Sequence, residues 1–237
     1  MIKTIQGKIS VYQLDLSDLE SVKECAKSIE GSVETLHLLI LNAGVMAPPL
    51  TRTKQGFELQ IGVNHIGHAY LTKLLLRKMK DTCSASVEGR IVSVSSLAHT
   101  FGKIDLNDLN YIKRRYSGWG AYGQSKLANV LFAKKLALMM AEEGVNIKVY
   151  SLHPGAIETN LQQYTGYLKF FFIFFFWMLK SIPQGAATTI VACTRDLPSG
   201  CYLSDCVETE PSKDGQDLDL AKKLWDLTES LIEEHVK

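Results

Sequence analysis

The sequence predicts a doubly wound α/β domain, a parallel sheet with helices on both faces. Three observations predict it. Short apolar runs of strand length alternate with periodic stretches long enough to be helices, the pattern of a parallel sheet and its crossovers. The runs Leu36–Leu41, Arg90–Val94 and Ile147–Leu152 are dominated by apolar residues, as strands covered on both faces are. Small or polar groups stand at the carboxyl ends of the runs: Asp15, Asn42-Ala43-Gly44, Ser95-Ser96 and Pro154-Gly155. Ligands of open α/β sheets bind outside those ends.

Taken in order, Ile9–Leu14 alternates apolar and polar residues and reads as a strand. Asp15-Leu-Ser-Asp18 then supplies a turn and a cap for a helix from about Leu19 to Ile29. Leu36–Leu41 is the second strand, closed by Asn42-Ala43-Gly44, a tight strand-to-loop turn on its own showing. After a loop with Pro48-Pro49, an amphipathic helix is predicted from about Phe57 to Met79, carrying Asn64, His65 and His68. The Arg90–Val94 strand, a polar insertion over 99–118 and a helix from about Ala121 to Met140 follow. Ile147–Leu152 is the next strand, ended by Pro154-Gly155. A short helix from Gln184 to Thr194, a short strand near Cys201–Leu203 and a helix from about Leu218 to Glu234 complete the reading. No repeat or linker interrupts the 237 residues, which suit one domain with a large core.

A net charge of +1 gives no support for nucleic-acid binding. The five cysteines are scattered and lack zinc spacing. They read as free thiols of a reducing compartment. The first fifteen residues lack the apolar run of a signal peptide. The expectation is a protein that is not secreted, on the cytoplasmic side, soluble or peripherally membrane-associated. His65 and His68 have a metal-like spacing without a third ligand, so no metal is expected.

Tyr122 and Lys126 are four residues apart and share one face of a helix. A free phenol with a pKa near ~10 is a poor acid or base at neutral pH, and a neighbouring ammonium favours its ionised form. A serine hydroxyl at a strand end, Ser95 or Ser96, could hold a carbonyl or alcohol oxygen while the tyrosine moves its proton. Such a set suits proton transfer at a carbon that gains or loses hydride.

These pieces, in this order and spacing, make the chain resemble the short-chain dehydrogenase/reductase family. The match runs from Asp15-Leu16 through Asn42-Ala43-Gly44, Val63-Asn-His-Ile-Gly-His68, Ser96 and Tyr122-x-x-x-Lys126 to Pro154-Gly155 with Thr159. Val63–His68 and Ala121–Asn129 resemble the retinol-dehydrogenase-like branch. Gln184–Thr189 and Leu224–Leu227 resemble the reductase domain of WW-domain oxidoreductases. The resemblance implies a Rossmann-like sheet and an NAD or NADP cofactor, with NADP slightly favoured. It implies Tyr122 as acid/base and Lys126 as the group that lowers its pKa and binds the nicotinamide ribose. It implies Ser96 on the substrate oxygen, preferred to Ser95 because Leu97-Ala98-His99 follows it directly. Asn64 would support a water relay, or only kink its helix. Asp15 would contact the adenine, or only cap a helix. Asn42, Ala43 and Gly44 would line the cofactor, with Pro154, Gly155 and Thr159 at its nicotinamide end. The family often pairs subunits through the helices that hold Asn64 and Tyr122, so a homodimer is a family-level expectation.

One departure is large. Family members begin with a strand, a glycine-rich turn and a helix that bind the pyrophosphate, and no such unit occurs in this sequence. Its first strand corresponds to the family's third. The expectation is therefore a single domain over residues 1–237, N-terminally truncated, with an incomplete sheet. Two functions compete on these grounds. One is NAD(P)-dependent interconversion of a hydroxyl and a carbonyl on a lipophilic, retinoid- or steroid-like molecule. The other is a catalytically inactive form that acts by binding partners.

The segment 168–181 holds Phe170-Phe-Phe-Ile-Phe-Phe-Phe-Trp-Met-Leu179 between Lys169 and Lys180. Ten helical residues cover roughly 15 Å, half a bilayer core, so it does not read as a spanning helix. It reads either as a lid over the active site or as an interfacial helix in contact with a membrane. Both favour an apolar substrate.

Overall fold

A computed structural model of the chain describes residues 7–157 and 180–236. Thr159 and most of the aromatic 168–181 segment lie outside the described residues. The order is α1 (Leu19–Ser32), β1 (Leu38–Leu41), a helical turn α2 (Leu59–Ile61), α3 (His68–Thr82), β2 (Gly89–Val94), α4 (Gly118–Glu142), β3 (Ile147–His153), α5 (Ile182–Thr194), β4 (Tyr202–Ser204), β5 (Val207–Thr209) and α6 (Leu218–His235).

The five described strands form one sheet in the order β1-β2-β3-β4-β5. The first four are parallel, with Leu39 beside Ile91 and Ile91 beside Val149. The expected parallel sheet is therefore mixed. β5 returns antiparallel to β4 through Asp205-Cys206, both at positive φ (50° and 66°), the backbone of a two-residue hairpin. Strand β5 went unread because Val207-Glu-Thr209 is short and exposed.

One face of the sheet carries the main core, with Leu39, Leu41, Ile91, Ile147 and Val149 packed beneath α3 and α4 residues such as Leu75, Leu131 and Leu136. The opposite face is covered by α5 through Ala192, against Val92, Val94, Tyr150 and Leu152. Asp18 caps α1 by accepting the Glu20 N–H, and α1 buries Leu19, Val22, Cys25 and Ala26.

The predicted Ile9–Leu14 strand does not form. Residues 7–15 carry no strand, and Ile9 and Val11 are each 90% exposed. Alternation gives a chain a side to bury, but a strand exists only when a neighbour takes its backbone groups. The described part of the sheet ends at β1, whose outer edge pairs with no described strand. Leu39 and Leu41 are buried there, while Leu38 and Ile40, on the face that α5 covers farther along the sheet, remain 39% and 41% exposed.

The single helix predicted from Phe57 to Met79 is interrupted. Gly62–Gly67 is a π-helical turn between α2 and α3, with Asn64 at its centre. Gly67 lets the segment before α1 pack closely on this turn: a Cβ there would lie 2.6 Å from the Leu16 carbonyl oxygen. Helix α6 packs along α4, with Trp225 stacked on Phe132 at 5.3 Å and 11°. Its Thr228 stands 2.8 Å from His65 on the π turn. The Thr228 hydroxyl proton goes to the Leu224 carbonyl, so His65 Nε2 is the donor. The outer faces of the two helices expected to pair subunits thus carry a helix of the same chain.

Candidate active site

The β2 and α4 residues that carry the acid/base pattern meet at the carboxyl end of the sheet. Val94 ends β2, and its carbonyl receives Lys126 Nζ (3.0 Å) and Asn129 Nδ2 (3.1 Å) from α4. Ser95 is buried and donates to the Lys126 carbonyl at 2.6 Å, which fastens β2 to α4. Ser96, one residue on, is only half-buried, accepts the Ala98 N–H at 3.2 Å and hydrogen-bonds to the Tyr122 phenol. The two serines are thereby distinguished: Ser95 is tied to the main chain, and Ser96 faces the tyrosine.

Tyr122 and Lys126 are both buried. Burial pushes the Lys126 ammonium down to about 8, since a charge far from water is disfavoured. Burial raises the Tyr122 phenol as well, and the Ser96 hydrogen bond pulls the other way. The Lys126 ammonium sits 5.8 Å from the ring centroid and is directed to the Val94 carbonyl.

Asn64 works as a clamp. Its Oδ1 accepts the Val45 N–H (2.8 Å), and its Nδ2 donates to the Val45 carbonyl (2.9 Å) and to Ser125 Oγ (2.9 Å). Its main-chain carbonyl takes His68 Nδ1 at 3.1 Å. Gly44 lies under this clamp, where a Cβ would come 2.8 Å from Asn64 Oδ1 and 3.6 Å from Lys126 Nζ.

A cavity of about 300 Å³ opens over these groups, lined by Asn42, Ala43, Gly44, Ser96, Tyr122, Lys126, His153, Pro154 and Gly155 among others. A larger groove of about 540 Å³ lies between segment 11–13 and α1 and shares no residue with it. Of the residues singled out in the sequence, Asp15 is not brought to the cavity. Its carboxylate accepts the Ser17 N–H (2.8 Å) and hydroxyl (2.7 Å), and Asp18 is the cap.

His153 went unread. It ends β3 in the cavity wall, its buried Nδ1 has no partner among the described residues, and burial lowers it to about 4. Its place at a strand's carboxyl end was the available signal. His99 also escaped notice. Its Nδ1 is 2.7 Å from the Ser96 carbonyl and its Nε2 accepts the Ser212 N–H at 3.0 Å, which joins the Ser96 turn to a segment more than a hundred residues away.

An α/β sheet with a serine, a tyrosine and a lysine gathered at its strand ends is the architecture of a dehydrogenase that works with a dinucleotide. The comparisons agree. The family model for short chain dehydrogenases matches residues 1–167. Short-chain dehydrogenase TIC 32 A, chloroplastic, of Brassica napus is 46% identical over 96% of this chain and 73% of its own length. Mouse retinol dehydrogenase 11 is 40% identical over 98% of this chain and 72% of its own. The crystal structure of an uncharacterized protein from Mycobacterium paratuberculosis superposes with a TM-score of 0.78 at 37% identity, over 96% of this chain and 76% of that one. The chain belongs to the short-chain dehydrogenase/reductase family, in its retinol-dehydrogenase-like branch, a family of oxidoreductases that act on CH–OH groups with NAD(P). No described helix is long and apolar enough to cross a membrane.

Proposed function

We propose that the site interconverts a hydroxyl and a carbonyl on a lipophilic substrate, with Tyr122 as the acid/base. The observation that carries this reading is the Ser96–Tyr122 hydrogen bond beside the buried Lys126. In the reducing direction the Tyr122 phenol gives its proton to the carbonyl oxygen, which Ser96 holds. A reduced dinucleotide, when bound, would supply the hydride to the carbonyl carbon. A phenol kept protonated by burial suits the donor role.

The residues present fit one end of such a dinucleotide. Lys126 brings a cation, and the His153 Nδ1, which has no partner among the described residues, is a polar atom in want of one. Asn42, Ala43, Pro154 and Gly155 complete that wall, with Thr159 as a further proposed contact. A glycine turn opening a helix, the usual pyrophosphate seat, is not found beside β1 among the described residues. NADP is put before NAD on the family resemblance alone.

An apolar substrate is supported by the side from which Tyr122 is approached. Met46, Ala47 and Ala98 pack against it, and the half-exposed Trp119 stands edge-on at 6.1 Å. Two of the relatives described above carry the names of a retinol dehydrogenase and a chloroplastic dehydrogenase, which fits a lipophilic molecule without choosing one. The open β1 edge favours the second reading, a chain that holds cofactor poorly and acts by binding partners.

The test is reduction of retinaldehyde with NADPH and with NADH, compared between the natural chain and Tyr122→Phe. The substitution is expected to lower kcat by at least about a hundredfold in a folded protein, as loss of a general acid does. More than about a tenth of the natural rate in the variant overturns the assignment of Tyr122. No turnover by the natural chain, in either cofactor, favours the second reading.

A further inference from the structure

We infer that Gln60 is the positioning residue that builds the substrate-side wall against Tyr122. The inference rests on the reading of Tyr122 as the reacting acid/base. Gln60 is fully buried on α2, and it touches neither the cavity nor Tyr122. Its amide instead joins two chain segments that flank the tyrosine.

The first segment is the turn at Met46-Ala47-Pro48. Met46 and Ala47 pack on Tyr122 and Ala98. Ala47 has φ 48°, a left-handed conformation in which a residue with a Cβ is strained. Its N–H is held by Gln60 Oε1 at 2.8 Å. The second segment leads into α4. Gln60 Nε2 donates to the Gly118 carbonyl at 2.8 Å and to the Tyr116 hydroxyl at 3.0 Å. The Tyr116 hydroxyl in turn reaches the Pro48 carbonyl (3.0 Å) and Glu58 Oε1 (3.2 Å). The two segments touch closely, since a Cβ on Gly118 would meet the Ala47 Cα at 3.4 Å.

Gln60 itself is oriented from below. The buried Glu58 carboxylate accepts the Gln60 N–H (3.0 Å) and the Ile61 N–H (2.9 Å), which fixes the turn of helix from which the amide projects. Both amide protons and the amide oxygen of Gln60 are therefore engaged. A buried amide with every partner satisfied specifies one geometry, because any shift leaves a polar group unpaired in a dry interior. What this geometry fixes is the strained Ala47 and, beside it, the apolar surface a substrate meets on reaching Tyr122. Cofactor groups lie on the other side, at Asn42 and Gly44.

The experiment compares the natural chain with Gln60→Leu and Gln60→Glu. The second variant keeps the acceptor for Ala47 and the side-chain volume, loses both donors, and serves where the first does not fold. Amide exchange is followed by NMR, and retinaldehyde reduction with NADPH by kinetics. In Gln60→Leu the Ala47 amide is expected to exchange at least about fivefold faster, as a lost hydrogen bond allows, with β2 and β3 amides within twofold of the natural chain. KM for the aldehyde is expected to rise about tenfold or more, with kcat reduced less than threefold and NADPH affinity within twofold. Gln60→Glu is expected to loosen the 116–120 amides and to leave Ala47 protected. Unchanged Ala47 exchange, uniform acceleration through the sheet, or a fall in kcat at constant KM each overturns the inference. A natural chain that does not reduce the aldehyde defeats the functional reading, and the exchange pattern then decides the anchoring of Ala47 by itself.

Discussion

Buried polar residues of this chain are each spent on one task, and their substitution should show it. Gly44 is a tight point of the site, where a Cβ would come 2.8 Å from Asn64 Oδ1 and 3.6 Å from Lys126 Nζ. Gly44→Ala is expected to lower stability by about 1–3 kcal/mol through overpacking and to weaken cofactor binding further, measured by denaturant unfolding and titration. The histidines dictate a pH response. Burial lowers His65 to about 3 and His68 to about 4, from 6.5. The unfolded chain therefore binds protons that the folded one does not, so stability is full above the unfolded value and is lost as pH falls below it. Two such groups are worth about 3 kcal/mol between pH 6.5 and 5. Unfolding midpoints that stay level over that window would contradict it. His65→Gln, which retains a donor toward Thr228, is expected to flatten the curve in part, since His68 and His153 are lowered as well.

Among elements, α6 has the largest effect outside the sheet. Trp225 lies flat on Phe132, and Thr228 receives His65, so α6 locks α4 to the π turn that carries Asn64. Trp225→Ala is expected to cost about 2 kcal/mol, less than the loss of a fully buried tryptophan because the residue is only partly buried. The same covering predicts a solution property. A dimer through the helices of Asn64 and Tyr122 would have to displace α6, so size-exclusion chromatography with light scattering is expected to return the mass of one chain. A stable dimer whose interface maps to α4 would refute this.

At the scale of the whole molecule the two ends of the described sheet differ. β5 turns back antiparallel on β4, whereas the outer edge of β1 has no partner strand among the described residues, with Leu38 and Ile40 part-exposed. That edge is where a strand and glycine turn for the pyrophosphate would pair. The chain as it stands is expected to bind NADPH or NADH at least a hundredfold more weakly than a form carrying such a unit, a difference of about 2.7 kcal/mol, modest for several charge-assisted hydrogen bonds. Isothermal titration checks it. A low-micromolar dissociation constant for the chain alone would show that the described contacts suffice.

What the sequence determined by itself was the set of local decisions. Apolar runs, periodic helices and Tyr122-x-x-x-Lys126 are short-range patterns, so most of the helices and strands β1–β4 could be read from them, while Ser96 beside Tyr122 was implied only by the family resemblance. Tertiary structure decided whatever depends on a neighbour distant in the chain. Ile9–Leu14 has the alternation of a strand and stays unpaired, because hydrogen bonds come from an adjacent strand and not from pattern. The close seating of Gly67 on the Leu16 carbonyl, the separation of Ser95 from Ser96 by which of them reaches the Lys126 carbonyl, and the anchoring of Ala47 by an amide thirteen residues on are all of this kind. Tyr122 stays high in pKa for the same reason. Spacing places a lysine one turn away, but burial and the Val94 carbonyl decide where its charge points.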